Sequence, residues 1–281
     1  MLIFEPEAGF VQTPDGRDLG TLAMGQGRQL IVLEAGLGMS ARYWAPVMRL
    51  LSPTYRVLAY DRAGIGSSTP DSAERSLDRQ SADLSAVIAA QDYDSLTLVG
   101  HSWGGAIVRN WCQANAPNLE RVRGMVLLDP TDEHLIEFFR PAALKLQRVA
   151  IRVLGYLGLL PLLVRPLLKA LNPADQFVAL RSSTTFTAAR EFAAELRSLR
   201  NGLEQLARHQ AKQPNVRTLL ITAGATMKGE SAHTRDAINV AHLEAALKHP
   251  NAELRTAAGA THNMPISSPE LVAGAIREIA G

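Results

Sequence analysis

The chain has almost no cysteine. Cys112 stands alone among 281 residues, which excludes an intrachain disulfide and a cysteine-built zinc site and fits a reducing compartment. No block of one charge appears either. Lys and Arg number 29 against 27 Asp and Glu, and the basic residues are scattered rather than gathered into a stripe that tracks a phosphate backbone, so no nucleic-acid partner is expected. No apolar run is long enough to cross a bilayer. The most apolar stretch, VLGYLGLLPLLV at 153–164, lies between Arg152 and Arg165 and is broken by Gly155, Gly158 and Pro161, whereas a spanning helix needs about 20 residues. Without an HExxH motif or a paired carboxylate cluster, neither a metal nor another cofactor is expected. The opening residues MLIFEPEAGF carry two glutamates and no basic stretch before a long apolar core, so no secretory signal is read there and a cytoplasmic location is the expectation. There is no internal repeat and no low-complexity linker.

What is present is an ordinary globular composition, 47% hydrophobic and 20% charged, on a chain long enough for one α/β domain with an insertion. After a hairpin turning at PDG (14–16), short β-rich runs alternate with helical patterns. Strands are expected at 29–35, 55–61, 95–100, 122–129, 216–223 and 252–258, and helices at 43–51, 77–91, 103–115, 236–248 and 268–280, the last with Ser268 as its cap and Pro269 in its first turn. Near-continuous apolar strands suit a parallel sheet buried on both faces, so the fold class is α/β: a mostly parallel central sheet with helices on both sides. One interval breaks the rhythm. Residues 131–213 are helical in character, which predicts a helical cap inserted into a core made of 1–130 and 214–281.

The sequence LVGHSWGGA at 98–106 holds the pattern GxSxG as GHSWG. Glycines at those places let a strand turn sharply into a helix while the serine takes a strained conformation with its Oγ exposed. The pattern alone is weak, and a plain glycine-rich turn is the alternative. Its setting adds weight: a β-rich run precedes it, the amphipathic AIVRNWCQANA follows, and it ends the third strand of the alternating series.

With these features the chain resembles the α/β-hydrolase fold family over most of its length outside the insertion. EAGLG at 34–38 stands where the family carries a loop supplying half of an oxyanion hole, DRAGIGSS at 61–68 looks like the family's DxxGxGxS segment, and AGATHNMP at 258–265 follows the last strand, where the family places its histidine. The resemblance implies Ser102 as nucleophile, His262 as base, and the amides of Leu37 and Trp103 as oxyanion donors. It makes Asp61 and Arg62 structural. The departure is at Glu34, where the family's usual histidine is missing and only Gly36 and Gly38 meet the pattern, which a simple tight turn would also require. Of seven histidines, His209 and His249 fall near helix ends, and His262 is set apart by its loop.

The triad acid departs from the common place as well. Most of the family carries it just after the strand that follows the cap, and here that position reads TAGATMKGE, with no aspartate before Asp236. A minority carries it at the end of the strand before the cap, which here reads VLLDPTD. The reading therefore selects Asp129 to orient His262, with Asp132, Glu230 and Asp236 as competitors and a turn-capping aspartate as the plain alternative.

The function implied is a serine hydrolase acting on small to medium carboxylic esters through an acyl-enzyme on Ser102, with a small-molecule acyl substrate as its partner. C–C bond hydrolysis, lactone opening, acyl transfer and perhydrolysis stay open on this fold. Dehalogenase and epoxide hydrolase activities are disfavoured, because families of those activities resembling this one use an aspartate where Ser102 stands. A non-catalytic small-molecule binding or signalling protein is the reading from a different class. The leucine-rich stretch 154–171 is open to three roles: lining an apolar pocket, covering the sheet as a helix pair, or forming a membrane-surface lid flanked by Arg148, Arg152, Arg165 and Lys169. Nothing in the sequence sets an oligomeric state.

Overall fold

Alternation decides the architecture. In the computed structural model, which describes residues 5–209 and 214–281, the central strands turn successive apolar side chains to opposite faces, and both faces are covered. The strands are β1 (Glu7–Gln12), β2 (Asp18–Met24), β3 (Gln29–Glu34), β4 (Arg56–Tyr60), β5 (Ser95–His101), β6 (Val122–Leu128), β7 (Thr218–Ala223) and β8 (Ala252–Ala257). They form one sheet in the order β1-β2-β4-β3-β5-β6-β7-β8, parallel except at β2, which runs antiparallel to β1 and β4. The helices are α1 (Ala45–Leu51), α2 (Leu77–Ala89), α3 (Trp103–Ala114), α4 (Pro141–Tyr156), α5 (Leu160–Val164), α6 (Pro173–Ser183), α7 (Phe186–Arg208), α8 (Ala232–Lys248), α9 (Met264–Ser267) and α10 (Pro269–Ala280). On one face Leu30, Val32 and Leu98 pack with α2 and α3, and on the other Ile31, Leu33 and Val99 pack with α1 and α10.

Two helix starts differ from the sequence reading, and one cap keeps its place without its bond. Helix α1, expected from 43, begins at Ala45 after a 3-10 turn at Ala41–Trp44. Helix α8 begins at Ala232 rather than 236, because the Ser231 side chain accepts the Thr234 N–H and caps the helix a turn earlier. Ser268 precedes α10 but makes no side-chain cap bond: its N–H donates to the Met264 carbonyl, so it closes the single turn of α9 instead.

Between β6 and β7 the chain from Glu133 to Arg208 is helical, opening with a 3-10 turn at Glu133–Phe138 and followed by α4 to α7; the expected boundary at 213 lies outside the described residues. Helix α7 belongs to the core as much as to the insertion, since Leu199, Leu203 and Leu206 join the cluster on the α2–α3 face. Helix α4 crosses it closely at Gly155, where an added Cβ would lie 2.4 Å from the Ala189 Cβ.

Two buried acids of the insertion meet arginines of the core. Asp175 on α6 accepts from Arg42 Nε and Arg49 Nη1, each at 2.5 Å. Glu195 on α7 accepts from Arg62 Nε at 2.6 Å, and the same guanidinium donates to Glu34 Oε1 (2.8 Å) and to the carbonyls of Ala35 (2.6 Å) and Gly36 (2.8 Å). Taking Arg62 away leaves two buried carboxylates without their counter-ion, so Arg62→Ala should cost about 3–5 kcal/mol in urea unfolding; a loss below about 1 kcal/mol would show that the network carries no such weight. Next to it Asp61 is buried, and burial pushes its carboxyl up to about 6 against the amides of Ala41 and Ser67 and the charge of Arg62. A raised carboxyl stabilises the fold fully below the ordinary value near 4 and loses that contribution as pH climbs through about 6. Asp61→Asn should therefore gain on the parent by about 2–3 kcal/mol between pH about 4 and about 7, whereas a difference that does not vary with pH contradicts this.

Candidate active site

At the end of β5 the backbone makes a bend that only glycines permit on either side. A Cβ at Gly100 would sit 2.6 Å from the Gly104 carbonyl oxygen, and one at Gly104 would sit 2.4 Å from that of Glu34. Between them Ser102 takes φ 53° and ψ −122°, a conformation costing on the order of 1–3 kcal/mol for a residue with a side chain. The bend is braced: Ser102 N–H donates to the Leu128 carbonyl at 3.0 Å, and its own carbonyl accepts from Gly105 (3.0 Å) and Thr131 (2.9 Å). Ser102 Oγ has Thr131 Oγ1 at 3.5 Å.

His262 comes from the loop after β8 and Asp129 from the end of β6, and the structure brings them together. His262 Nδ1 donates to Asp129 Oδ2 at 2.6 Å, with the imidazole 30% exposed and the carboxylate almost fully buried. Burial alone would raise the Asp129 carboxyl, but the hydrogen bond and charge of His262 and the Ala223 N–H (2.9 Å) outweigh it and hold Asp129 well below the usual carboxylate range. Asp129 also has positive φ, 42°, which turns the chain out of β6.

Of the three competing carboxylates two are engaged elsewhere and one is exposed. Asp132 accepts from Arg109 (2.8 Å) and from the His134 ring, beside Glu133, which takes the other side of the same guanidinium (2.7 Å). Asp132, Glu133 and His134 hold potential ligand atoms within 4.8 Å of one another, and Arg109 already occupies both carboxylates. Glu230 accepts from Arg235 at 2.7 Å and from Met227 N–H at 2.9 Å. Asp236 is exposed on α8.

Leu37 lies in the turn after β3 and Trp103 opens α3. An added Cβ on Gly36 would be 3.2 Å from the Ser102 Cβ, so this turn runs directly beside the serine. As the first residue of a helix, Trp103 has an amide with no intrahelical acceptor, and the helix dipole favours negative charge there. Phe192 of α7 presses on the turn, 2.9 Å from where a Gly38 Cβ would be, and Gly202 of α7 rests on the Trp103 ring. It is α7 that covers these loops. Leu157, Leu162 and Leu163 are exposed, away from the Ser102 loops; α4 turns its Leu144, Ile151 and Gly155 side inward, and α5 buries Leu160.

Several neighbours were not visible in the sequence. Glu34, the departure from the family pattern, pairs with Arg62 and accepts from the Tyr60 hydroxyl, so the carbonyls of the turn beside Ser102 are held by an ion network. His101 stacks on Tyr43 at 5.4 Å and sits 4.7 Å from the His262 ring. Burial first, and then His262, push His101 down to about 3; it is neutral and donates Nε2–H to the His262 carbonyl at 2.8 Å, fixing that loop. Arg235, buried, donates to both oxygens of Asp129 at 2.8 and 3.0 Å, and His242 and Thr222 close the far side. Arg235 and His242 lie on α8 seven residues apart, one face of a helix, which is the signal a search for charged positions aimed at β6 would have used.

Comparison with known proteins follows this geometry. Residues 31–275 match the family described as Alpha/beta hydrolase family. The chain is similar to the uncharacterized protein YqjL of Bacillus subtilis (strain 168), 40% identical over 101 residues, which are 36% of this chain and 39% of that protein. It is similar to the putative carbamate hydrolase RutD of Azorhizobium caulinodans, 34% identical over 99 residues, 35% of this chain and 36% of that one. The matches thus span little more than a third of either relative's length. Among solved structures, a hydrolase from Pseudomonas aeruginosa PA01 superposes with a TM-score of 0.73 at 22% identity over 98% of both chains, a likeness of fold.

A short hydrogen bond to a buried carboxylate should give the His262 Nδ1 proton a far-downfield NMR resonance. Asp129→Ala should abolish that signal and Asp132→Ala should leave it; loss with Asp132 alone would reassign the acid.

Proposed function

The chain belongs to the alpha/beta hydrolase family, and from that membership we propose that it is a serine hydrolase cleaving carboxylic esters through an acyl-enzyme on Ser102. The observation that carries this is the 2.6 Å bond from His262 Nδ1 to Asp129, made beside a serine held at φ 53° on the tip of a strand. With Nδ1 committed to Asp129, the imidazole has Nε2 left for the serine proton. Ser102 Oγ adds to the acyl carbon as Nε2 takes that proton, and the new oxyanion is met by the amides of Leu37 and Trp103. Collapse of the tetrahedral adduct breaks the bond to the alkoxy group, which leaves as the alcohol with the proton from Nε2. Water then adds to the acyl-enzyme with Nε2 as base, and the acid departs. Asp129 stays ionised throughout, orienting the ring and stabilising the imidazolium.

A serine rather than an aspartate at the elbow supports acyl chemistry over alkyl displacement, since an acyl group passes to an alkoxide through a tetrahedral adduct that the two amides suit. Phe192 over Gly38 supports a narrow approach to the acyl carbon and hence compact acyl groups.

Ser102→Ala should lower kcat on p-nitrophenyl esters by at least about a thousandfold with the fold intact, and a fluorophosphonate probe should label the parent at Ser102 alone. Activity of the variant within about tenfold of the parent defeats the nucleophile. A parent inert to both reagents favours the small-molecule binding protein instead.

A further inference from the structure

Helix α4 is apolar on two sides. At 100° per residue Leu144, Ile151 and Gly155 form the side against α7, while Leu146, Val149, Val153 and Tyr156 recur at intervals of three and four on the opposite side. That outer stripe is bare: Leu146 is 72% and Tyr156 78% exposed, and Leu157 follows on the same side. Further apolar side chains are exposed on α5, where Leu162 is 71% exposed, and on α6 with Phe177. So large an apolar surface on a folded chain calls for something to cover it.

Charge says what the cover is. Between Phe138 and Phe186 the chain carries seven cations, Arg140, Lys145, Arg148, Arg152, Arg165, Lys169 and Arg181, and a single acid, Asp175, buried and committed to Arg42 and Arg49. The chain as a whole is only +2. On α4, Lys145, Arg148 and Arg152 run along the border between the two apolar sides, and among the described residues none of the three has an ion-pair partner. Burial, then the charges of Arg197 and Arg152, lower the affinity of Arg148 for its proton, a crowding that an anion would relieve. Lys145, Arg148 and Arg152 line a mixed-charge concavity of about 760 Å³ toward α7 with Asp71, Glu74 and Glu191, whereas two further open concavities on these elements combine apolar side chains with cations alone. One of about 370 Å³ is lined by Val149, Arg152, Tyr156 and Phe186 among others, and one of about 330 Å³ by Leu162, Arg165, Pro166, Lys169 and Gln176.

We propose that this outer face of the insertion docks on an anionic lipid bilayer, lying in the plane of the interface, with the α4 stripe and the α5 leucines entering the acyl boundary and the bordering cations engaging lipid phosphates. No single helix here is long and apolar enough to cross, and α4 meets the segment 160–168 at 116°, a bend suited to lying along a surface. A second copy is the poorer occupant, because a twofold contact through this face would bring Arg152, Arg165 and Lys169 of its concavities together with the same cations of the other copy and no acid of these elements to offset them. The inference stands apart from the role of Ser102, since binding is read without turnover.

The test uses the full chain and flotation with vesicles of phosphatidylcholine containing phosphatidylglycerol, against phosphatidylcholine alone. Binding should favour the anionic vesicles and weaken at least about tenfold between about 0.05 M and about 0.5 M salt. It should also fall at least about tenfold in Tyr156→Ser with Leu157→Ser, and separately in Arg148→Glu with Arg152→Glu, both pairs melting as the parent does. The proposal is overturned by no binding to anionic vesicles at low salt, by equal binding to both vesicles, by either variant pair binding as the parent does, or by a dimer that the serine pair dissolves in a protein that ignores vesicles.

Discussion

The structure depends on one buried cation. Arg62 is fully buried and donates five hydrogen bonds within 3.0 Å: one to Glu34 at the end of β3, two to Glu195 on α7, and one each to the carbonyls of Ala35 and Gly36. An unpaired guanidinium in such a place would be prohibitively costly, and so would either carboxylate alone, so the three charges are acceptable only together. Their mutual satisfaction sets the height of the turn beside Ser102 and the position of the helix above it. The turn that holds Leu37 is thus fixed by an ionic network lying behind it.

Around that constraint the backbone carries its strain where the candidate chemistry lies. Among the described residues Ser102 and Asp129 are the only non-glycine positions with positive φ. Both stand at the carboxyl ends of neighbouring parallel strands, and each exits its strand by a sharp turn that aims its side chain outward from the sheet edge. The hydrogen bonds from Ser102 N–H to Leu128 and from Thr131 N–H to Ser102 tie the two turns to each other, so the strained positions support one another.

Much of this was legible because it is local. Alternation marked the strands, glycine spacing marked the bend, and the aspartate nearest a strand end was the one facing His262. What stayed hidden are pairings across long separations. Glu34 looked like a lost histidine because its meaning lies in Arg62 and, beyond it, in Glu195, 133 residues further along from that arginine. Arg235 reaches Asp129 over a separation of 106, from a helix that begins four residues before the sequence pattern places it, at the Ser231 cap. The leucine-rich stretch 154–171 was open to three roles, since hydrophobicity alone does not say which leucines turn outward, as those at 157, 162 and 163 do.

The two acids that the insertion sends into the core, Asp175 and Glu195, have a kinetic consequence. Lifting α7 away would strand Glu195 and Arg62, both almost wholly buried, before water could reach them, so such an excursion has a steep barrier; at α6 the cost is smaller, since Arg42 and Arg49 are partly exposed and also pair with Glu5. The roof over the Leu37 turn then behaves as masonry and not as a door. The turn beneath it keeps the shape it took when the chain folded.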